Sequence, residues 1–198
     1  MWGLGCDSNN APKPVFGFIF DTKSNTLLAP GPHGQYIPSF TVNISPKTNP
    51  NMTVYRLSQN GGWNSAPPMM IGSCSIRTSS LSGNVYAGVS VYGHSFKMKH
   101  DSMTGSMSQK FEYPSLGSFK WKPDMKGLRL FDGNGQLLAR WQKTSGQNQT
   151  LDFFVSGQGE FVDMVVVTAL AGMSFQQKEV KQVEEAMDAV DIVSALTG

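Results

Sequence analysis

Apolar and polar residues alternate in many short segments between residues 51 and 155, and turn-forming residues separate these segments. The alternation is clearest at Val85, Ala87, Val89 and Val91, where every second side chain is apolar. A period of two is typical of a strand with one buried face. The pattern predicts strands at 52–58, 69–75, 84–92, 95–99, 107–112, 118–122, 127–131, 136–142 and 151–155.

Residues 1–50 form a Pro-, Gly- and Asn-rich N-terminal arm. Two extended segments, 15–20 and 26–29, are joined by turn-forming residues and predict a first hairpin that belongs to the same barrel. Four prolines between residues 31 and 50 exclude a helix there and leave at most an edge strand at 40–44. About twelve strands are therefore expected in total.

The pattern changes at residue 160, where a long apolar segment begins. Residues 161–175 are apolar on nearly every side, which is typical of a helix surrounded by protein. This segment spans only about 20 Å as a helix, short of the ~30 Å hydrocarbon core of a bilayer. Residues 179–198 are amphipathic instead, with Val183, Met187 and Val190 on one stripe and acidic residues on another.

Together these patterns predict a mainly β protein. We expect a closed antiparallel barrel of about twelve strands around a central hydrophobic α-helix at about 160–178, followed by a short acidic amphipathic C-terminal helix at 179–198. The barrel with its helix would occupy residues 51–178, completed by the N-terminal hairpin.

Four segments carry a resemblance to a known family. They are Thr53-Val-Tyr-Arg-Leu-Ser58, Met69-Met-Ile-Gly-Ser-Cys-Ser-Ile76, Leu128-Arg-Leu-Phe-Asp-Gly-Asn-Gly-Gln-Leu-Leu-Ala-Arg140 and Glu160-Phe-Val-Asp-Met-Val-Val-Val-Thr-Ala-Leu-Ala171. Over residues 51–178 the chain resembles the tubby C-terminal-like superfamily, especially its small fungal members.

The resemblance implies a twelve-stranded closed barrel threaded by a hydrophobic helix. Relatives include phosphoinositide-binding tubby proteins, phospholipid scramblases and plant LURP-one-related proteins. The chain lacks the C-terminal apolar helix and the cysteine clusters of the scramblases, so scramblase activity is not implied. No family binding residue aligns with a particular position here.

The cysteine content and the first residues indicate which cellular compartment to expect. Two widely separated cysteines, Cys6 and Cys74, do not indicate a disulfide framework, which favours a reducing compartment. The first residues lack the basic and apolar regions of a secretory signal. We therefore expect a cytoplasmic protein, with peripheral attachment to a membrane as one option.

Motifs for catalysis or cofactor binding are weak. Gly157 and Gly159 precede the apolar segment as in a dinucleotide site, but Val162 replaces the third glycine and Glu160 would repel a pyrophosphate. The three histidines do not form a metal-binding pair, and no Gly-x-Ser-x-Gly motif occurs. We expect no enzyme activity, no cofactor and no metal, and we do not expect nucleic acid as a partner.

Charge is distributed unevenly. Residues 1–159 hold 14 Lys and Arg against 7 acids, which gives +7, whereas residues 160–198 hold 2 against 7, which gives −5. Alternation turns several basic side chains outward, where they are candidates for binding an anionic phospholipid such as a phosphoinositide. These candidates are Lys97, Lys99, Lys120, Lys122, Arg129 and Arg140.

Two alternatives remain open. Outward lysines are also ordinary solubilising residues and guards on strand edges. The protein is alternatively an interaction or structural scaffold that binds a protein partner through Val183, Met187 and Val190 of the C-terminal helix, without binding lipid.

Overall fold

A single antiparallel sheet closes on itself to form the body of the protein. The structure is a computed structural model, and it describes residues 12–45, 47–58, 66–78, 85–101, 106–144 and 148–176. Each strand pairs with the next along the chain, and the first pairs with the last, which makes a closed barrel. The strands are β1 (Phe16–Asp21), β2 (Thr26–Pro30), β3 (Tyr36–Ile44), β4 (Met52–Arg56), β5 (Met69–Thr78), β6 (Val85–Val91), β7 (His94–Asp101), β8 (Ser106–Tyr113), β9 (Gly117–Asp124), β10 (Gly127–Asp132), β11 (Leu137–Lys143) and β12 (Gln149–Phe153).

The predicted mainly β class and the closed twelve-stranded antiparallel barrel are confirmed. The two faces of β6 follow the alternation of the sequence. Ala87, Val89 and Val91 are buried, whereas Gly88 and Ser90 between them are half-buried. One face of each strand therefore supplies the core, and the other meets solvent.

The N-terminal segment is an integral part of this barrel. β1 pairs with both β2 and β12 and so completes the closure. The expectation of at most an edge strand at 40–44 is wrong, because the nine-residue β3 pairs with β2 on one side and β4 on the other. Pro38 is accommodated at a register shift in the β2–β3 pair, where a ladder hydrogen bond is not required.

A second register shift changes the predicted face of β11. The shift lies between Leu130 and Phe131 in the β10–β11 pair. As a result Leu138 and Ala139 are both buried, whereas Leu137, which alternates with Ala139 and Trp141 and by a period of two belongs on their face, is only half-buried. Such bulges are not visible in a periodic pattern because they depend on the neighbouring strand.

The chain forms one described helix, α1, over residues 160–176. Its side chains are almost all buried, and they contact inward-facing residues of several strands. Trp121 Nε1 of β9 donates a hydrogen bond of 3.2 Å to Thr168 Oγ1. Gly172 packs closely against β10, because a β-carbon there would stand 3.0 Å from Leu128 Cδ1, which would have to shift slightly.

No helix within the described residues is long and apolar enough to cross a bilayer. The predicted amphipathic helix at 179–198, with Val183, Met187 and Val190, lies outside the described residues.

Candidate functional site

The outer surface of β7 to β11 carries a continuous set of basic side chains. On β7 and β9 the apolar Met98, Phe119 and Trp121 point inward and are buried, so the lysines between them point outward. We call this surface the basic face. It consists of Lys97, Lys99, Lys110, Lys120, Lys122, Arg129 and Arg140.

Strand register places three of these lysines in one row across the barrel. Lys99 is the Cα partner of Lys110, and Lys110 is in turn the Cα partner of Lys120. Directly opposed residues have β-carbons about 4.5–5.5 Å apart. Like charges therefore stand directly opposite one another, and the row concentrates positive charge on this part of the surface.

A second row lies nearer the β9–β10 turn. Lys122 is the partner of Arg129, and Arg129 is the partner of Arg140. Acidic side chains accompany the arginines: Arg129 Nε lies 3.3 Å from Asp124 Oδ2, and an Arg140 terminal nitrogen lies 3.2 Å from Asp152 Oδ2. The arginine charges are therefore partly offset within the protein.

An open groove of about 1010 Å³ lies over the lysine row. The residues around it include Phe96, Phe111 and Phe119, whose rings stack on the core side of the strands with centroids 5.3 Å and 5.4 Å apart. The volume is at the upper end of the range for ligand sites. Other polar and charged groups on its walls are Ser95, Lys97, Lys99, Lys110, Glu112, Ser118, Lys120 and Asp132.

A second cluster of charged groups surrounds the N-terminal end of α1. Asp163 is fully buried and accepts hydrogen bonds from the Arg56 guanidinium and from the Tyr92 hydroxyl. Burial raises the pKa of Asp163, and the hydrogen bonds from Tyr92 and Arg56 oppose that shift. Because its partners hold it in place, this carboxylate anchors the helix to β4 and to the β6–β7 turn.

Glu160 makes a similar contact on the neighbouring side of the helix. Tyr113 Oη donates a hydrogen bond of 2.5 Å to Glu160 Oε1. Burial, followed by that hydrogen bond, raises the pKa of Tyr113. A smaller cavity of about 410 Å³ lies close by, lined by Phe16, Phe18 and Arg56 among others. Arg56 already pairs with Asp163 there, so its charge is not freely available to a ligand.

The structure brings all six predicted ligand residues onto one surface, spread over four of the five strands from β7 to β11. Lys110 completes the lysine row and was not among the predicted binding residues, although it alternates with buried Gln109 and Phe111. Arg56 and Tyr92, which donate hydrogen bonds to Asp163, were also not among the residues predicted from the sequence. The partner-binding residues Val183, Met187 and Val190 lie beyond residue 176, outside the described chain.

Among the described side chains, no three His, Cys, Asp or Glu residues come together as metal ligands. Comparison with known proteins adds no relative: no protein-family model, curated protein or solved structure matches the chain. The resemblance to the tubby C-terminal-like superfamily therefore stays a prediction.

Proposed function

We propose that this protein is a non-enzymatic, tubby-like barrel that binds anionic phospholipid, such as a phosphoinositide, through the basic face. The observation that carries this proposal is the opposed row Lys99, Lys110 and Lys120. A membrane-attached protein of this kind would act peripherally on the cytoplasmic side, where anionic lipids are concentrated.

Electrostatics supports this function. Opposed lysines concentrate positive potential along the row, and a phosphate bound there can accept charge-assisted hydrogen bonds from more than one ammonium group. Each basic side chain near an anionic bilayer contributes about 1 kcal/mol of attraction. The groove beside the row also offers the hydroxyls of Ser95 and Ser118, which suit a phosphorylated polyol.

The position of α1 supports an outer rather than an inner binding site. We infer that the helix fills the centre of the barrel, because its buried face contacts β5, β8, β9 and β10. Val167, for example, leaves no space for a side chain at Gly72. In a barrel filled in this way, the side chains that a ligand can reach lie on the outer surface.

Vesicle co-sedimentation tests the proposal. We expect the full chain to sediment with phosphatidylcholine vesicles that contain phosphatidylserine or a phosphoinositide, but not with phosphatidylcholine alone. Binding should weaken as salt is raised, because screening reduces the attraction of exposed charges. A comparison of the two anionic lipids tells a general charge requirement from a preference for the inositol headgroup.

Charge reversal localises the site. Lys99→Glu should weaken binding by about tenfold or more, since it removes one attraction and adds a repulsion. Lys13→Glu, at an exposed position before β1, changes the net charge equally and should have little effect. Equal losses in both variants would contradict a localised site. No binding to either anionic lipid would overturn the proposal and favour the protein-interaction scaffold.

A further inference from the structure

An exposed methionine stands at the tip of the β9–β10 hairpin. Asp124 and Gly127 are paired, so Met125 and Lys126 form a two-residue turn. The Met125 side chain is 100% exposed. Hairpin turns usually carry Gly, Asn or Asp for conformational reasons, and a large apolar side chain in such a turn gains nothing from the fold.

The hairpin presents this side chain on a fixed support. Met125 N–H donates a hydrogen bond of 2.8 Å to Asp124 Oδ1. Lys143 N–H on β11 donates one of 2.9 Å to Lys126 O. Gly127 lies so close to β11 that a β-carbon there would stand 2.0 Å from Trp141 O. A tip held in this way loses little conformational entropy when it binds.

Basic side chains lie just behind the tip. Lys126 is in the turn itself, and the opposed pair Lys122 and Arg129 is the next outward-facing pair on the two strands. Asp124 Oδ2 lies 3.3 Å from Arg129 Nε and partly offsets that charge, so the two lysines supply most of the positive charge. Met125 lies three positions after Lys122 along the strand, a distance of about 10 Å at 3.4 Å per residue. Amphipathic segments bury their apolar side chains about 5–10 Å into the headgroup and acyl boundary. The cations would then lie at the level of the lipid phosphates.

A second exposed methionine lies at the same end of the barrel. Met107 is 50% exposed near the start of β8, and β8 runs antiparallel to β9, whose end carries the Met125 turn. The opposite end of the β8–β9 pair has its own exposed apolar residue, Leu116, which is 40% exposed. Leu116 lies in the turn that joins these two strands, and the outward-facing pair next to that turn is Glu112 and Ser118 rather than two basic residues.

We propose that Met125 inserts into the headgroup and acyl boundary of an anionic bilayer, while Lys122, Lys126 and Arg129 contact the phosphates above it. This inference rests on the proposed function and adds an orientation to it. In this orientation the β9–β10 turn faces the bilayer, and the row of Lys99, Lys110 and Lys120 lies farther from it.

Vesicle binding of Met125→Ser provides the first test. With phosphatidylcholine vesicles containing phosphatidylserine, the variant should bind about tenfold more weakly than the wild type, since the apolar area of a methionine is no longer buried. Leu116→Ser is the matched control and should bind like the wild type. Both side chains are exposed, so both variants should keep the thermal transition of the wild type.

A spectroscopic measurement tests insertion directly. Trp121 and Trp141 are buried, so a Met125→Trp variant adds an exposed indole whose emission is obtained by subtracting the wild-type spectrum. That emission should shift to the blue on binding and should be quenched by lipids brominated on the acyl chain. The emission of a Leu116→Trp variant should not change.

The outcomes separate the two proposals. If the wild type does not bind anionic vesicles, both are overturned. If it binds, but Met125→Ser binds equally well and the Met125→Trp emission is unchanged, lipid binding stands and insertion of the tip is overturned. A loss at Leu116→Ser equal to that at Met125→Ser would also overturn the proposed orientation.

Discussion

Lys99 lies directly opposite Lys110 across the β7–β8 pair, so the sheet holds two ammonium groups where an opposite-charge pair would stabilise it. We expect Lys99→Gln to raise the free energy of unfolding at low salt, by up to about 1 kcal/mol, because it relieves this repulsion. Urea denaturation measures the gain, and added salt should reduce it. The same variant should bind anionic vesicles more weakly than the wild type.

Lys97→Gln is the control for this effect. Lys97 is also exposed on β7, but its partner on β6 is Gly88 rather than a lysine. It should show no comparable gain in stability. A Lys99→Gln variant that is less stable than the wild type would contradict a net repulsion between Lys99 and Lys110.

The ion pair between Arg56 and Asp163 gives a second prediction. Arg56→Met leaves the buried carboxylate with Tyr92 as its remaining side-chain partner among the described residues, which should lower the free energy of unfolding by about 1–3 kcal/mol. The lower part of that range is expected because the Arg56 side chain is 35% exposed, and solvent screens the pair.

The double variant Arg56→Met with Asp163→Leu discriminates between the causes. If the cost comes from an uncompensated buried charge, removing the charge as well should restore part of the stability. Thermal denaturation of the wild type, the two single variants and the double variant measures the coupling. A double variant whose loss equals the sum of the single losses would show that the two residues act independently.

Tyrosine ionisation predicts a loss of stability at alkaline pH. Burial, followed by the hydrogen bond to Asp163, raises the pKa of Tyr92 from 10.0 to about 12. A raised pKa means that the folded state favours the neutral phenol more than the unfolded state does. This contribution is complete below pH 10.0 and is lost as the pH rises towards about 12.

Denaturation curves across that pH range test the assignment. Tyr92→Phe should lose stability less steeply with rising pH than the wild type does, although it starts lower because the hydrogen bond to Asp163 is gone. Tyr36→Phe, at an exposed tyrosine, should retain the wild-type slope. An unchanged slope in Tyr92→Phe would exclude this tyrosine as the cause of the alkaline loss.

Much of the barrel was accessible to sequence reasoning because a period of two is local information. Lys97 and Lys99 alternate with buried Met98 within a few residues, so their outward direction follows from the pattern alone. That Lys99 meets Lys110 does not follow, since register depends on the connection between β7 and β8 and on the shift at His100 and Asp101.

The contacts of α1 could not be predicted from local sequence patterns, for a different reason. Arg56 and Asp163 are 107 positions apart, and nothing near either residue identifies its partner. Tyr92 has a positive φ of 49°, followed by Gly93 at 81°, in the β6–β7 turn. Tyrosine rarely adopts this conformation, and here its hydroxyl reaches Asp163. The folded chain brings these groups together through the contacts of α1 with β4 and with the β6–β7 turn.

The acidic C-terminal segment leads to the last prediction. Residues 182–198 carry four acidic side chains, Glu184, Glu185, Asp188 and Asp191, and no basic ones. Near the end of the described helix, Gly172 lies against Leu128 of β10, one residue before Arg129 of the basic face. The described part of α1 therefore ends on the side of the barrel that carries Met125, and we expect the acidic residues that follow to compete with anionic lipid for the same cations.

Deletion of residues 182–198 should tighten binding to phosphatidylserine vesicles at low salt, because a competing negative charge is removed. The difference from the full chain should shrink as salt is raised. A variant with Glu184, Glu185, Asp188 and Asp191 all changed to Gln keeps the length and apolar stripe of the segment, so it isolates the charge. If the deletion tightens binding and the Gln variant does not, competition is steric rather than electrostatic. If neither changes binding, the segment does not compete for the basic face.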